Sequence, residues 1–211
     1  MALSNREILE ELKNGNIVIS PYNETNLQVN SYDVTLGENF YREVNPNFFS
    51  NKDYSSHVYN IWDEKDVKRV WEQNKATDFW PGFNPEDKII WIAPQERILA
   101  HTIEFIGGKN NITTEMKARS SIGRSFISVC LCAGLGDIGY TNRWTLEITN
   151  HSRYYTIPLI VGRRIAQIVF FRTGEPNSSY NGKYNVGETE WKPEDMLPKL
   201  YLDKESKSNR E

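Results

Sequence analysis

Residues Met116 to Glu147 read MKARSSIGRSFISVCLCAGLGDIGYTNRWTLE. Three features stand out in this stretch. Arg119-Ser120-Ser121-Ile122-Gly123-Arg124 sets two guanidinium groups around two hydroxyls and a glycine. Forked Arg donors, Ser hydroxyls and free backbone N–H groups suit a phosphate chain. A solvated basic turn has the same composition. Next, Gly134-Leu135-Gly136-Asp137-Ile138-Gly139-Tyr140 holds one carboxylate beside an aromatic in a turn whose glycines let a ligand approach closely; read alone, it is simply a turn. Last, in Trp144-Thr145-Leu146-Glu147-Ile148 a strand would put Leu146 and Ile148 on one face and Thr145 and Glu147 on the other.

Outward from this stretch the pattern is β. Residues 89–92, 97–105, 112–117, 126–133, 144–149, 156–161 and 165–171 are expected strands, separated by turns at Pro94, Gly107-Gly108, Gly134 to Gly139 and Gly162. Many short strands at regular spacing indicate a sandwich, jelly roll or barrel. Before them, Ser4-Asn5-Arg6-Glu7 is a capping box, Ile8, Leu9 and Leu12 give an apolar stripe, and Gly15 is a stop signal, so a helix is expected. Strands follow at 17–19 and 29–36, the second alternating through Tyr32, Val34 and Leu36.

Residues 45–85 differ in composition. They carry Phe48, Phe49, Tyr54, Tyr59, Trp62, Trp71, Phe79 and Trp80 among polar residues, and Val67, Val70 and Trp71 at helical spacing suggest a helix within 63–74. The segment reads as an aromatic-rich insertion within a single domain of residues 1–211, either local packing or a substrate lid. The tail, residues 177–211, is polar and expected to be partly mobile.

The 211 residues are 38% hydrophobic, but six Trp, eleven Tyr and nine Phe supply enough buried area for a core. A net charge of −3 argues against a nucleic-acid coat and leaves room for one basic pocket. No run is long enough for a transmembrane helix and no leader is visible, so no membrane partner and a cytoplasmic location are expected. Cys130 and Cys132 are too close in sequence for an ordinary disulfide.

Taken together, these segments resemble the dCTP deaminase branch of the dUTPase superfamily. ARSSIGR resembles its phosphate-binding R-S-S-x-x-R, AGLGDIGY its A-G-x-I-D-x-G-[FYW], and TLE carries what looks like its catalytic glutamate. GRRIAQIVF, at 162–170, resembles the superfamily's Gln-containing strand, and SNREI, IVISP, QVNSYDVTLG and ILAHTIEFI resemble the flanks. The resemblance covers the chain outside 45–85. It implies a mainly β, dUTPase-like jelly roll or distorted barrel with a few short helices. It also implies a homotrimer with active sites between subunits, dCTP as substrate, Mg²⁺ carried by the triphosphate, and dTTP as a feedback inhibitor. Carried over residue by residue, Arg119, Ser120, Ser121, Ile122, Gly123 and Arg124 would hold the triphosphate and Asp137 the deoxyribose 3′-hydroxyl. Thr145, Leu146 and Glu147 would face the base, Gln167 would bind nucleotide, and Tyr180 and Lys183 would close over phosphates.

Hydrolytic deamination needs one carboxylate cycling between base and acid, and Glu147 is that candidate. The Ser120 hydroxyl and the Ala133 carbonyl would orient the water, and Arg124 would add positive charge. Zinc deaminases instead carry H-x-E…P-C-x-x-C. Here His57, His101 and His151 are scattered and Cys130-Leu131-Cys132 lacks the two-residue spacer, so no zinc is expected. The sequence departs from the family at Gly136 (usually Ile), Asn142 (commonly Gly) and Gly187 (usually Gln); Asn185 is a candidate to replace that Gln. Ala133-Gly134 resembles the bifunctional, dUMP-forming group, in which Asp137 would also help place a water at the α-phosphate; single-function enzymes often have His after the Ala. The alternatives are a dUTP diphosphatase, which would not need Glu147 and usually has D-x-D-Y, and a non-catalytic nucleotide-binding regulator.

Overall fold

In the computed structural model, which describes residues 1–45, 58–77, 80–131 and 133–203, the chain opens on the expected helix. Helix α1 (Asn5–Lys13) starts at a capping box in which the Ser4 backbone N–H donates to Glu7 while Glu7 N–H reaches the Ser4 hydroxyl. Gly15 follows its end at φ +76°, where glycine carries no Cβ penalty. The buried stripe is Ile8, Glu11 and the half-buried Leu12; Leu9 is exposed. Glu11 stays buried because Arg172 pairs with it at 2.7 Å.

Among the described residues twelve strands follow. They are β1 (Ile17–Ser20), β2 (Tyr32–Thr35), β3 (Asn39–Glu43), β4 (Trp71–Lys75), β5 (Ile89–Ile92), β6 (Arg97–Gly108), β7 (Ile112–Ala118), β8 (Ile127–Ser128), β9 (Leu135–Gly136), β10 (Thr141–Asn150), β11 (Ile157–Ile160) and β12 (Arg164–Arg172). Two further helices are short, α2 (Glu64–Val70) and α3 (Ser120–Arg124). Among the described residues the strands hydrogen-bond into three sheets. One runs β4-β3-β6-β10-β8 with β1 also on β6, another β2-β12-β7-β9, and the third β11-β5. The mainly β architecture is as expected, but the sheets remain separate ladders and do not close into a barrel.

The core lies between the two larger sheets. Ile98 and Ala100 of β6 and Leu146 and Ile148 of β10 face Tyr32, Val34, Ile168 and Phe170, all essentially fully buried. Each such aliphatic side chain contributes roughly 1.5–3 kcal/mol by leaving water. The opposite face of β6 and β10 carries the polar residues of interest.

Four local expectations are corrected. Strand β2 begins at Tyr32; Val29 is 70% exposed and precedes it. The helix in 63–74 ends at Val70, and Trp71 turns into β4, whose pairing with β3 overrides the helical spacing. Residues 120–124, for which a solvated basic turn is one of the two readings, form α3. The strand expected over 126–133 stops after two paired residues, because Phe126 sits at φ +65° and Leu131 turns its N–H to the Glu147 carboxylate instead of a ladder carbonyl. The tail, as far as residue 203, packs on the body through 3₁₀ turns Pro193–Met196 and Leu200–Leu202, with Met196 and Leu197 buried. Phe48, Phe49, Tyr54, His57, Phe79 and Cys132, and the tail beyond 203, lie outside the described residues. Among the described residues, no helix is long and apolar enough to cross a membrane.

Candidate active site

Strand β10 alternates as its sequence dictates. Leu146 goes to the core, whereas Thr145 and Glu147 stay half-buried on the opposite face. That face opens into a cavity of about 370 Å³. Thr145 and Glu147 line it with Leu99, the cross-strand partner of Glu147 on β6. Ala133, Leu135, Asp137, Tyr140 and Trp144 form a second wall, and Tyr180, Tyr184, Met196 and Pro198 of the tail a third. The Leu131 N–H donates to Glu147 Oε2 at 3.4 Å.

The turn holding Asp137 is shaped by its glycines. A Cβ at Gly134 would sit 2.7 Å from the Met116 carbonyl oxygen. At Gly136 it would meet Thr114 Oγ1 at 2.2 Å and the Trp144 ring at 2.5 Å. The Ile usual before the Asp therefore has no room here, because the Trp144 indole fills that space. Its N–H is tied to the Ile106 carbonyl at 3.0 Å. Tyr140 closes the turn, its N–H donating to the Asp137 carbonyl at 2.9 Å. Its ring meets Trp144 edge-on at 5.4 Å and Tyr180 edge-on at 5.5 Å. Burial pushes the Tyr140 phenol up to about 12, so it remains a neutral hydroxyl.

Asn142, where a Gly is common, is 3% exposed and ties the tail down: its side-chain amide donates to the Tyr184 carbonyl. Asn185, the candidate replacement for the missing Gln, donates to the Gly139 carbonyl at 3.3 Å. Lys183 pairs with Asp203 at 2.6 Å and lies over the Tyr184 ring.

The phosphate-type motif lies elsewhere. Ser120, Ser121, Gly123 and Arg124 are exposed on α3, and Ile122 packs against the core. Arg119 is held by a residue that the motif did not reveal. Asp33 of β2, only 2% exposed, forms an ion pair with Arg119 Nε at 3.2 Å and accepts a hydrogen bond from Arg164 at 3.2 Å. Burial pushes the Asp33 carboxyl up, and the two guanidinium groups oppose that shift. Gln167 sits on β12 between Asp33 and Lys117. Thus one chain brings Thr145, Glu147, Ala133, Asp137 and Tyr180 to one cavity, but not Arg119 to Arg124, Gln167 or Lys183.

Sequence reasoning missed Asp33, Trp144, Tyr184 and Met196. The one available signal was Asp33 itself, a carboxylate inside the alternating run Tyr32, Val34, Leu36.

His101, opposite Thr145 on β6, supports the tail from beneath, its ring 4.6 Å from that of Trp191. Its Nδ1 faces the Thr102 carbonyl at 2.9 Å, and Nε2 accepts from Asn39 N–H at 3.4 Å, an arrangement for neutral imidazole. Burial pushes its pKa down from 6.5 to about 4. Between those values the unfolded chain holds a proton that the native chain does not, so stability falls as pH drops. At pH 5 the loss is about 2 kcal/mol. Thermal melts should show a lower Tm at pH 5 than at pH 7, and His101→Asn should shrink that difference. An equal difference in the variant would acquit His101.

A family model described as dCTP deaminase-like matches residues 2–173. A relative from a Nocardioides species, named "dCTP deaminase, dUMP-forming", is 31% identical over 188 residues, 89% of this chain and 88% of the relative. A relative of the same name from Methanocaldococcus jannaschii is 26% identical over 216 residues, 98% of this chain and 100% of the relative. The solved 2′-deoxycytidine 5′-triphosphate deaminase of Agrobacterium tumefaciens superposes with a TM-score of 0.54 at 20% identity, over 82% of this chain. This chain spans 48% of that one, and the likeness establishes the fold. With the family match running from α1 through β12, the chain belongs to the dCTP deaminase-like family.

Proposed function

We propose that the protein deaminates dCTP by hydrolysis and carries the product on to dUMP and diphosphate. The observation that carries this reading is the shared cavity, into which Glu147, Asp137 and Ala133 all open beside Thr145. In the first step a water oxygen bonds to C4 of cytosine while its proton passes to the Glu147 carboxylate and on to N3. The proton of the new C4 hydroxyl then passes by way of Glu147 to the amine, C4=O forms as the C4–amine bond breaks, and ammonia leaves. The Leu131 N–H restrains one carboxylate oxygen, and the Ala133 carbonyl orients the water. In the second step, Asp137, which also contacts the 3′-hydroxyl, helps place a water at the α-phosphorus. A new P–O bond forms, and the bond to the bridging oxygen breaks. The relatives' names support dUMP as product, as does Gly134, where the backbone leaves no room for a following His.

The separation of α3 and Gln167 from the Glu147 cavity supports a homotrimer whose sites form between subunits. Arg119 to Arg124 and Gln167 of one copy would then hold the triphosphate of a nucleotide whose base lies against Glu147 of the next, and Ser120 and Arg124 would complete that copy's catalytic set. Mg²⁺ would ride on the phosphates, where it would neutralise charge. Regulation by dTTP and a cytoplasmic location belong to the same reading.

The test is an anion-exchange assay of purified protein with dCTP and Mg²⁺, with dUTP in parallel. Release of dUMP from dCTP is expected. Accumulation of dUTP would limit the protein to deamination. Turnover of dUTP alone would make it a diphosphatase, and no turnover would leave a binding role.

A further inference from the structure

We propose that the segment running from α2 into β4 is a dock for the C-terminal segment, and that Val67 is a positioning residue for the reaction. The proposal rests on the reading of the Glu147 cavity given above. Val67 is 1% exposed although α2 has only seven residues, five of them charged. What buries it is a second, separate apolar cluster made of Tyr41, Leu99, Met196 and Leu197. Two members of that cluster, Leu99 and Met196, are also walls of the cavity. Leu99 stands opposite Glu147 in the β6–β10 ladder. The helix is therefore packed behind the cavity wall, where its one buried side chain sets the position of Met196.

The tail is also tied by polar contacts, among them the Asn142 amide on the Tyr184 carbonyl and the Tyr180 N–H on the Ile138 carbonyl at 2.7 Å. Residues 177–192 contain no regular element, and the tail is rich in Gly, Asn, Lys and Glu. Ordering such a chain costs conformational entropy that polar surface contacts offset poorly. Apolar contacts offset it better: Met196 and Leu197 in the cluster with Val67 of α2, the Trp191 ring under the Arg143 guanidinium at 5.2 Å and against His101, and Tyr180 edge-on to Tyr140. The family match stops at residue 173, before any of these tail residues. Docking the tail prepays its ordering, so the cavity is complete before nucleotide arrives. A nucleotide that had to recruit an undocked tail would bind more weakly by the fraction of docked molecules.

Two measurements test this. Val67→Ala and Leu197→Ala should each raise the KM for dCTP about fivefold with kcat within twofold, because saturating nucleotide restores closure. The double variant should cost little more than either single one, as expected for side chains acting through one contact. Val67→Ile should retain the wild-type KM. A fall in kcat at unchanged KM, or fully additive effects, would overturn the proposal. Hydrogen exchange without nucleotide gives a readout independent of turnover. In Val67→Asp the amides of Tyr180, Trp191 and Leu197 should lose protection while those of β6 and β10 keep theirs. Retained tail protection would refute the dock, and equal loss in β6 and β10 would reduce Val67 to a general folding role. Should the wild-type protein turn over no dCTP, the functional reading would fail by itself, and the exchange experiment would still decide the dock.

Discussion

Glu147→Gln is expected to lower dCTP deamination by about a thousandfold or more, the scale of losing a positioned general acid–base group. The amide has nearly the same shape as the carboxylate but cannot take a proton from water. Glu147 is half-buried on β10, and among the described residues its carboxylate accepts one hydrogen bond, the 3.4 Å bond from the Leu131 N–H, which an amide oxygen can still accept. Folding should be preserved, with Tm essentially unchanged, and dCTP affinity by calorimetry should be close to wild type. Turnover within tenfold of wild type would remove Glu147 from the chemistry. A large drop in Tm alongside lost activity would make the loss structural.

Gly136→Ala is the second large effect, and here the loss begins with packing. The new methyl would lie 2.2 Å from Thr114 Oγ1 and 2.5 Å from the Trp144 ring. Neither neighbour can yield easily: Thr114 is fully buried, and the indole is 4% exposed with its N–H bonded to Ile106. Overpacking of this kind costs about 1–3 kcal/mol, which for a chain of this length lowers Tm by about 3–10 °C. The displaced turn carries Asp137, so dCTP turnover should also fall, since a shift of about 1 Å in a positioned group can cost about a hundredfold. Adding Trp144→Val should recover much of the stability by opening the space that the indole fills. A Gly136→Ala protein that melts and turns over like wild type would show that the indole does not constrain this turn.

Much of this protein is legible residue by residue. The capping box at Ser4 to Glu7, the stop at Gly15 and the period-two runs of β5, β6, β7, β10, β11 and β12 are short-range signals, and the structure contains each of those elements. Strands β3 and β4 were not legible. The sequence Asn39–Glu43 has no clean alternation, and Trp71–Lys75 continues a helical spacing until pairing with β3 pulls it extended. Nor was the short reach of β8, where a side chain 16 residues away captures the N–H that a ladder would have used.

The candidate site divides along the same line. Residue types and spacing marked Arg119 to Arg124, the Asp137 turn and Glu147 as chemistry-bearing, because backbone alternation alone sends Leu146 inward and Glu147 outward. Which of them meet is a tertiary matter. The fold gathers Glu147, Thr145, Ala133 and Asp137 at one cavity and leaves α3 and Gln167 outside it. Buried Asp33 ties Arg119 to β2 across 86 positions of chain, and Thr114 and Trp144 together decide that position 136 must be glycine. Caps and periodicity act over one turn or one strand, so a single segment reveals them. Ion pairs, steric exclusion and the docking of the tail join segments far apart in the chain, and only the packed sheets determine which side chains compete for the same space.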